Sequence, residues 1–199
     1  MDKKQEILAA AFELFSDKGY HLSMSELAGA VGIKTPSLYS HFRSKDQILE
    51  IIIDKEIQQF YANLKENMAI INKLRCEEGL KSIYNFVLTY FGEHKRLRFW
   101  RWIPLIASEP LRTVFSKLIA QKDSEFSQEM RLCFKKGQES GEIRGDIGFG
   151  SLKLFFCIIQ GVLDGMLIHK STRDEQAYSK EIFEAFWEGI RTKPEVQKG

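Results

Sequence analysis

Residues 23–46 read SMSELAGAVGIKTPSLYSHFRSKD, and their punctuation decides the fold. Ser23 is followed three residues later by Glu26, the spacing of a capping box, in which a hydroxyl and a carboxylate each satisfy a free backbone N–H. A short helix through Leu27, Ala28 and Val31 is predicted to stop at Gly32. Thr35 and Pro36 open the next helix, with Thr35 as N-cap and Pro36 at the first helical position. That helix ends near Phe42, and Ser44 with Gln47 forms a second capping box at the head of a long helix. Two short helices joined by Gly32-Ile33-Lys34 have the layout of a helix-turn-helix, whose tight turn commonly contains glycine. Ala28 is small where the helices must approach, and Leu27, Val31, Ile33 and Leu38 are placed to lock them.

Working outward, Ile7, Leu8, Ala11, Phe12 and Phe15 share one face of an upstream helix that Gly19 closes. Downstream, Ile53, Ile57, Phe60, Leu64, Met68 and Ile71 carry the fourth helix to about residue 72. Further helical periods cover Gly79 to Phe91, Leu111 to about Lys136, Phe149 to His169 and Tyr178 to Ile190, with Pro104 and Pro110 bracketing a short segment. Thr192 to Gly199 is polar and expected to fray. No stretch alternates long enough to demand a strand. The expected fold class is all-α: an N-terminal three-helix helix-turn-helix domain over 1–46 and a larger helical domain over 47–199, joined through the fourth helix without a flexible linker.

Composition narrows the function classes. In 199 residues, 15 Phe, 6 Tyr and 3 Trp supply enough apolar area to exclude disorder as the main state. Cys76, Cys133 and Cys157 are too few and too scattered for a disulfide scaffold, and no Cys or His spacing suits zinc. The reading is a reducing, cytoplasmic setting. Apolar neighbours at Cys157 predict inert burial, although cysteines in general can sense oxidants. His94 and His169 are lone histidines without metal geometry. The start, Met1-Asp2-Lys3-Lys4, is not a secretory signal. Lys153, Gln160 and Asp164 interrupt the apolar run ending at Ile168, which argues against a membrane span. Neither a nucleophile–base pair nor a phosphate-cradling glycine loop is legible, since Gly145 to Gly150 follows no strand, so neither an enzyme nor a cofactor is expected.

Charge is local rather than global. The net charge is +2, and the first fifty residues carry six Lys or Arg against seven Asp or Glu. Between Glu26 and Asp46 there is no acid, while Lys34, Arg43 and Lys45 are basic, with His41 among them. A confined positive window is what contact with nucleic-acid phosphates needs.

The segment resembles the DNA-binding domain of the tetracycline-repressor (TetR) family of bacterial regulators. The resemblance rests on Ala11 to Phe15, Gly19-Tyr20, Met24 to Ala28, Val31-Gly32-Ile33, Leu38-Tyr39, Phe42 and Ser44-Lys45. It implies that Thr35, Pro36, Ser37 and Ser40 face the major groove of an operator, and that Tyr39, His41 and Lys45 touch phosphates. Lys34, in the turn, reads as a backbone contact. No Arg, Asn or Gln lies within 35–42, so the usual bidentate base readers are missing. Specificity is expected from methyl and hydroxyl contacts and from DNA shape. A helical protein-interaction module without DNA activity is the competing class.

For the remaining chain the resemblance implies a homodimer and a ligand pocket. Gly161 and Gly165 permit close helix approach, and Phe183, Phe186 and Trp187 add bulk beside them, as a dimer interface would. Phe86, Tyr90, Phe99, Trp100, Trp102, Phe126 and Met130 are the expected pocket for a small aromatic or lipophilic effector. Lys95, Arg96, Arg98 and Arg101 read as a solvated face, with an anionic head-group site as the alternative. Asp164 would cap a cation pocket or pair across the interface.

Overall fold

The computed structural model describes residues 2–168 and 173–193. His169 and residues 194–199 of the polar tail therefore lie outside the described residues. The elements are α1 (Lys3–Lys18), α2 (Met24–Ala30), α3 (Thr35–His41), α4 (Lys45–Ile71), α5 (Cys76–Tyr90), α6 (His94–Trp102), α7 (Glu109–Glu139), α8 (Gly150–Ile168) and α9 (Arg173–Ile190). Among the described residues, extended pairing is limited to an isolated antiparallel bridge between Ile143 and Arg191. The all-α expectation holds. α6 lies where the sequence offers no expected helix, and α9 starts five residues before the expected Tyr178.

The chain divides into two compact units, residues 1–63 with 93–122, and 64–92 with 123–199. The first holds the expected 1–46 segment together with most of α4, all of α6 and the start of α7. Its core is a single cluster in which Ile7, Ala11 and Phe15 of α1 meet Leu27 and Ala28 of α2, Leu38 of α3, and Ile48, Leu49 and Ile52 of α4. These are the positions that helical periodicity selects.

The turn between α2 and α3 follows from one glycine. Gly32 sits at φ +67°, and the Ile33 N–H donates to the Ala28 carbonyl at 3.0 Å, the six-to-one bond of a Schellman motif. The N-cap of α3 is Lys34, one residue before the expected Thr35, and Pro36 stays in the first turn, where its missing N–H costs nothing. The box at Ser23 forms in full: the Glu26 N–H donates to Ser23 Oγ at 3.2 Å and the Ser23 N–H to Glu26 Oε2 at 2.9 Å. At Ser44 it forms by half. The Gln47 N–H donates to Ser44 Oγ at 3.2 Å, while the Gln47 side chain accepts from Arg43 N–H at 2.7 Å.

α6 lies along α1. Phe99 stacks on Phe12 with ring centroids 4.7 Å apart and meets Phe15 edge-on at 5.2 Å. Trp102 Nε1 donates to the Ser16 carbonyl at 3.3 Å. The basic run is thus a docking seam rather than a purely solvated face. Lys95 pairs with Glu13, Arg98 with Asp17 at 2.6 Å, and Arg96 with Glu56 at 3.4 Å.

In the second unit, Tyr84 of α5 is buried among Phe155 of α8 and Phe183 of α9, and its hydroxyl donates to the Ser179 carbonyl at 2.7 Å. Glu142 caps α5 from far along the chain, accepting from the Cys76 and Glu77 N–H groups at 3.2 and 3.4 Å.

Two glycines with positive φ should respond differently to alanine. At Gly32 an added Cβ meets nothing within 4 Å, so only the backbone penalty applies, about 1–2 kcal/mol. At Gly19, φ is +58° and the Cβ would fall 2.6 Å from the Trp102 ring, adding a clash to the strain. Gly19→Ala should cost roughly 2–4 kcal/mol. Denaturant unfolding of the two variants checks the order.

Candidate nucleic-acid interface

Seven residues form α3, and burial fixes its orientation. Leu38 is 0% exposed and Phe42, its C-cap, 4%. With those two turned inward, Pro36, Ser37, Tyr39 and Ser40 are exposed, and Thr35 and His41 are half-buried. Tyr39 is 52% exposed, large for an aromatic ring that nothing covers. Lys34 stands exposed at the head of the helix and Arg43 just past its end. Ser40 Oγ donates to the Ser37 carbonyl at 2.7 Å, which leaves the lone pairs of the Ser40 hydroxyl facing outward.

The structure brings Lys34, Thr35, Pro36, Ser37, Tyr39, Ser40 and His41 onto one short helix and its head. It uses Lys45 differently. The Lys45 Nζ donates to the Tyr20 carbonyl at 2.6 Å and lies 3.7 Å from the centre of the Tyr20 ring. Its pKa is lowered by burial, against the opposing pull of Asp46. The Tyr20 hydroxyl donates to Asp46 Oδ1 at 2.8 Å, and burial, then that carboxylate, pushes its pKa up. This clamp ties the head of α4 to the segment after α1. Two participants escaped the sequence reading: Tyr20, noted only as part of the resemblance, and Arg43, noted as basic but given no contact.

The residues expected to hold an effector fall in different units. Phe99, Trp100 and Trp102 belong to the first, and Phe99 is fully buried against α1. Trp100 meets Phe60 edge-on at 5.2 Å. Phe86, Tyr90, Phe126 and Met130 belong to the second. Phe86 and Tyr90 are neighbours at 6.0 Å, Phe126 meets Phe156 at 5.7 Å, and Met130 is buried. None of these seven lines the cavity of about 270 Å³ found between the α4–α5 turn and the end of α7.

The dimerisation candidates also separate. Phe183, Phe186 and Trp187 are buried within their own chain, where Phe155 stacks near Phe186 at 5.2 Å. They hold α9 on α8. Gly161 is exposed and Gly165 half-buried, and a Cβ added at either meets nothing within 4 Å. Leu154 and Ile168 on the same helix are 53% and 75% exposed. Asp164 is exposed rather than sunk in a pocket. Cys157 is exposed too, which corrects the expected burial: its sequence neighbours Phe155 and Ile159 turn inward, and Cys157 lies on the opposite face.

Residues 7–52 match the profile of bacterial regulatory proteins of the tetR family, a span that includes every proposed DNA contact. An HTH-type transcriptional regulator of Bacillus subtilis, YvaF, is 36% identical over 117 residues, 54% of this chain and 59% of that protein. The chain thus covers less than two thirds of that relative's length. Among solved structures, the ketosteroid transcriptional regulator KstR2 of Mycobacterium tuberculosis is similar with a TM-score of 0.74 at 17% identity, covering 96% of each chain. The transcriptional regulator FadR of Bacillus subtilis in complex with stearoyl-CoA is similar with a TM-score of 0.69 at 21% identity, covering 94% of this chain and 98% of that one. At these identities the two structures establish a shared fold.

Charge at the head of α2 gives a pH test. Ion pairing with Lys18, then the Ser23 N–H and hydroxyl, pull the Glu26 carboxyl down from 4.5 to about 2. Because the folded value is depressed, its contribution is complete above about pH 4.5 and fades as pH falls towards 2. The Glu26 side-chain resonance should titrate with a midpoint about 2, and Lys18→Ala should raise that midpoint.

Proposed function

We propose that the chain, whose residues 7–52 match bacterial regulatory proteins of the tetR family, is a cytoplasmic, ligand-responsive repressor of that DNA-binding family that binds a palindromic operator as a homodimer. The observation that carries the reading is the outer face of α3. Leu38 and Phe42 face the core, so Pro36, Ser37, Tyr39 and Ser40 stand clear for a groove, between exposed cations at Lys34 and Arg43. In this reading Thr35, Pro36, Ser37 and Ser40 meet base edges. Tyr39, His41, Lys34 and Arg43 meet phosphates, and Lys45 holds the helix head in register through Tyr20.

One seven-residue helix without bidentate readers gives little affinity, so two copies are needed. The open face of α8 supports pairing: Leu154, Gly161, Gly165 and Ile168 leave apolar surface uncovered and room for a second helix. Asp164 would then lie at the join. A lipophilic effector is supported by the half-buried Phe86, Tyr90 and Phe126 and the buried Met130 of the second unit. The similar fold solved with stearoyl-CoA points the same way. The effector acts by binding one conformer better than another, and only that difference can shift DNA affinity.

A salt-titrated gel shift on the DNA upstream of the gene tests the contact surface. Lys34→Ala should weaken binding to all sequences and flatten the salt slope by about one unit. Ser37→Ala should instead change site preference with the slope kept. Unchanged binding in both variants would remove α3 from the interface. Sedimentation tests the pairing: Gly161→Leu should make the dimer roughly tenfold or more weaker through overpacking, while the helical signal stays intact. A chain that sediments as a monomer before mutation sinks the two-copy reading.

A further inference from the structure

Two thiols that the DNA-binding reading leaves unused meet in the second unit. Cys76, in the first turn of α5, and Cys133, on α7, are buried, with sulfurs 4.0 Å apart. Both also line the cavity of about 270 Å³, whose rim includes Lys136 and Glu142. A water's share of liquid volume is about 30 Å³, so the space admits a small hydroperoxide. The walls beside the sulfurs are glycines. A Cβ on Gly137 would lie 2.7 Å from the Cys76 sulfur, and one on Gly79 would lie 3.6 Å from that of Cys133.

We propose that Cys76 and Cys133 are a peroxide-reactive dithiol whose oxidation closes an intrachain disulfide. Lys136, one turn along α7 from Cys133 and on the same cavity wall, favours the thiolate there, while Glu142 opposes ionisation of both sulfurs. That neighbouring cation assigns the attack to Cys133. It takes one oxygen of the hydroperoxide and breaks the O–O bond. The other oxygen leaves as water or alcohol, and Cys133 becomes a sulfenic acid. The Cys76 sulfur then attacks that sulfur, and the hydroxyl leaves as water with the Cys76 proton. Both thiols are oxidised, the peroxide is reduced, and the sulfurs close by about 2 Å to bonding distance.

The test uses the full chain carrying Cys157→Ser, in which Cys76 and Cys133 are the remaining thiols. One equivalent of hydrogen peroxide should consume both, lower the intact mass by two hydrogens and give a linked peptide holding both residues, all reversed by dithiothreitol. With Cys133→Ala added, the Cys76 thiol should survive roughly tenfold longer. Thiols that outlast the peroxide, or that vanish without a linked peptide, overturn the proposal. If Cys157→Ser does not fold, the wild-type chain with its exposed Cys157 alkylated gives the same readout.

Discussion

A helix of seven residues does not hold itself in water, because nucleation costs more than so few backbone bonds return. α3 exists because Leu38 and Phe42 are driven into the core formed by α1, α2 and α4. Burying two such side chains fully is worth roughly 1.5–3 kcal/mol each, which exceeds any propensity within the segment. That burial also sets what α3 shows to the outside. Positions four apart share a helix face, so inward Leu38 and Phe42 leave Pro36, Ser37, Tyr39 and Ser40 outward. Gly32 contributes the angle, since its left-handed backbone lets Ile33 bond back to Ala28. The face proposed to meet DNA inherits this arrangement.

The same contest of magnitudes explains why α6 belongs with the helices of the first unit. Its pairs to Glu13 and Asp17 are half exposed, and such pairs contribute about 0–1 kcal/mol each. Phe99 is fully buried between Phe12 and Phe15, and aromatic contacts add about 0.5–1.5 kcal/mol beyond area burial. The rings hold the helices together, and the charges select the register. Lys45 obeys the same logic: lying over the Tyr20 ring and bonded to its carbonyl, it is worth more to the fold than a solvated ammonium would be.

Local rules made the short helices legible, because caps and turns act over three or four residues: Ser23 with Glu26, Gly32 before Ile33, Pro36 in a first turn. The α6 segment was not legible, since HKRLRFWRW looks like a charged surface until Glu13 and Asp17 are seen across from it. The start of α5 was not legible either: the expected Gly79 gives way to Cys76 because Glu142, far along the chain, takes the Cys76 and Glu77 N–H groups. The meeting of Cys76 with Cys133 was equally hidden, being set by the packing of α5 on α7. Among the aromatic residues grouped as one pocket, Phe99 proved to be core.

α8 shows where composition stops and contact begins. Among the described residues it is the helix long and apolar enough to cross a membrane, yet that property records only how much surface needs cover. Leu152, Phe155, Ile159 and Leu163 are covered by their own chain. What is left includes Leu154 and Ile168, but also Lys153 and Asp164, all exposed. A bilayer would charge about 2.5–3.5 kcal/mol for an ionised side chain at its centre, and it offers no partner for one. In the proposed pairing a second helix set against Gly161 and Gly165 would cover the apolar atoms of Leu154 and Ile168 and leave the charged Lys153 and Asp164 in a setting that lipid does not offer.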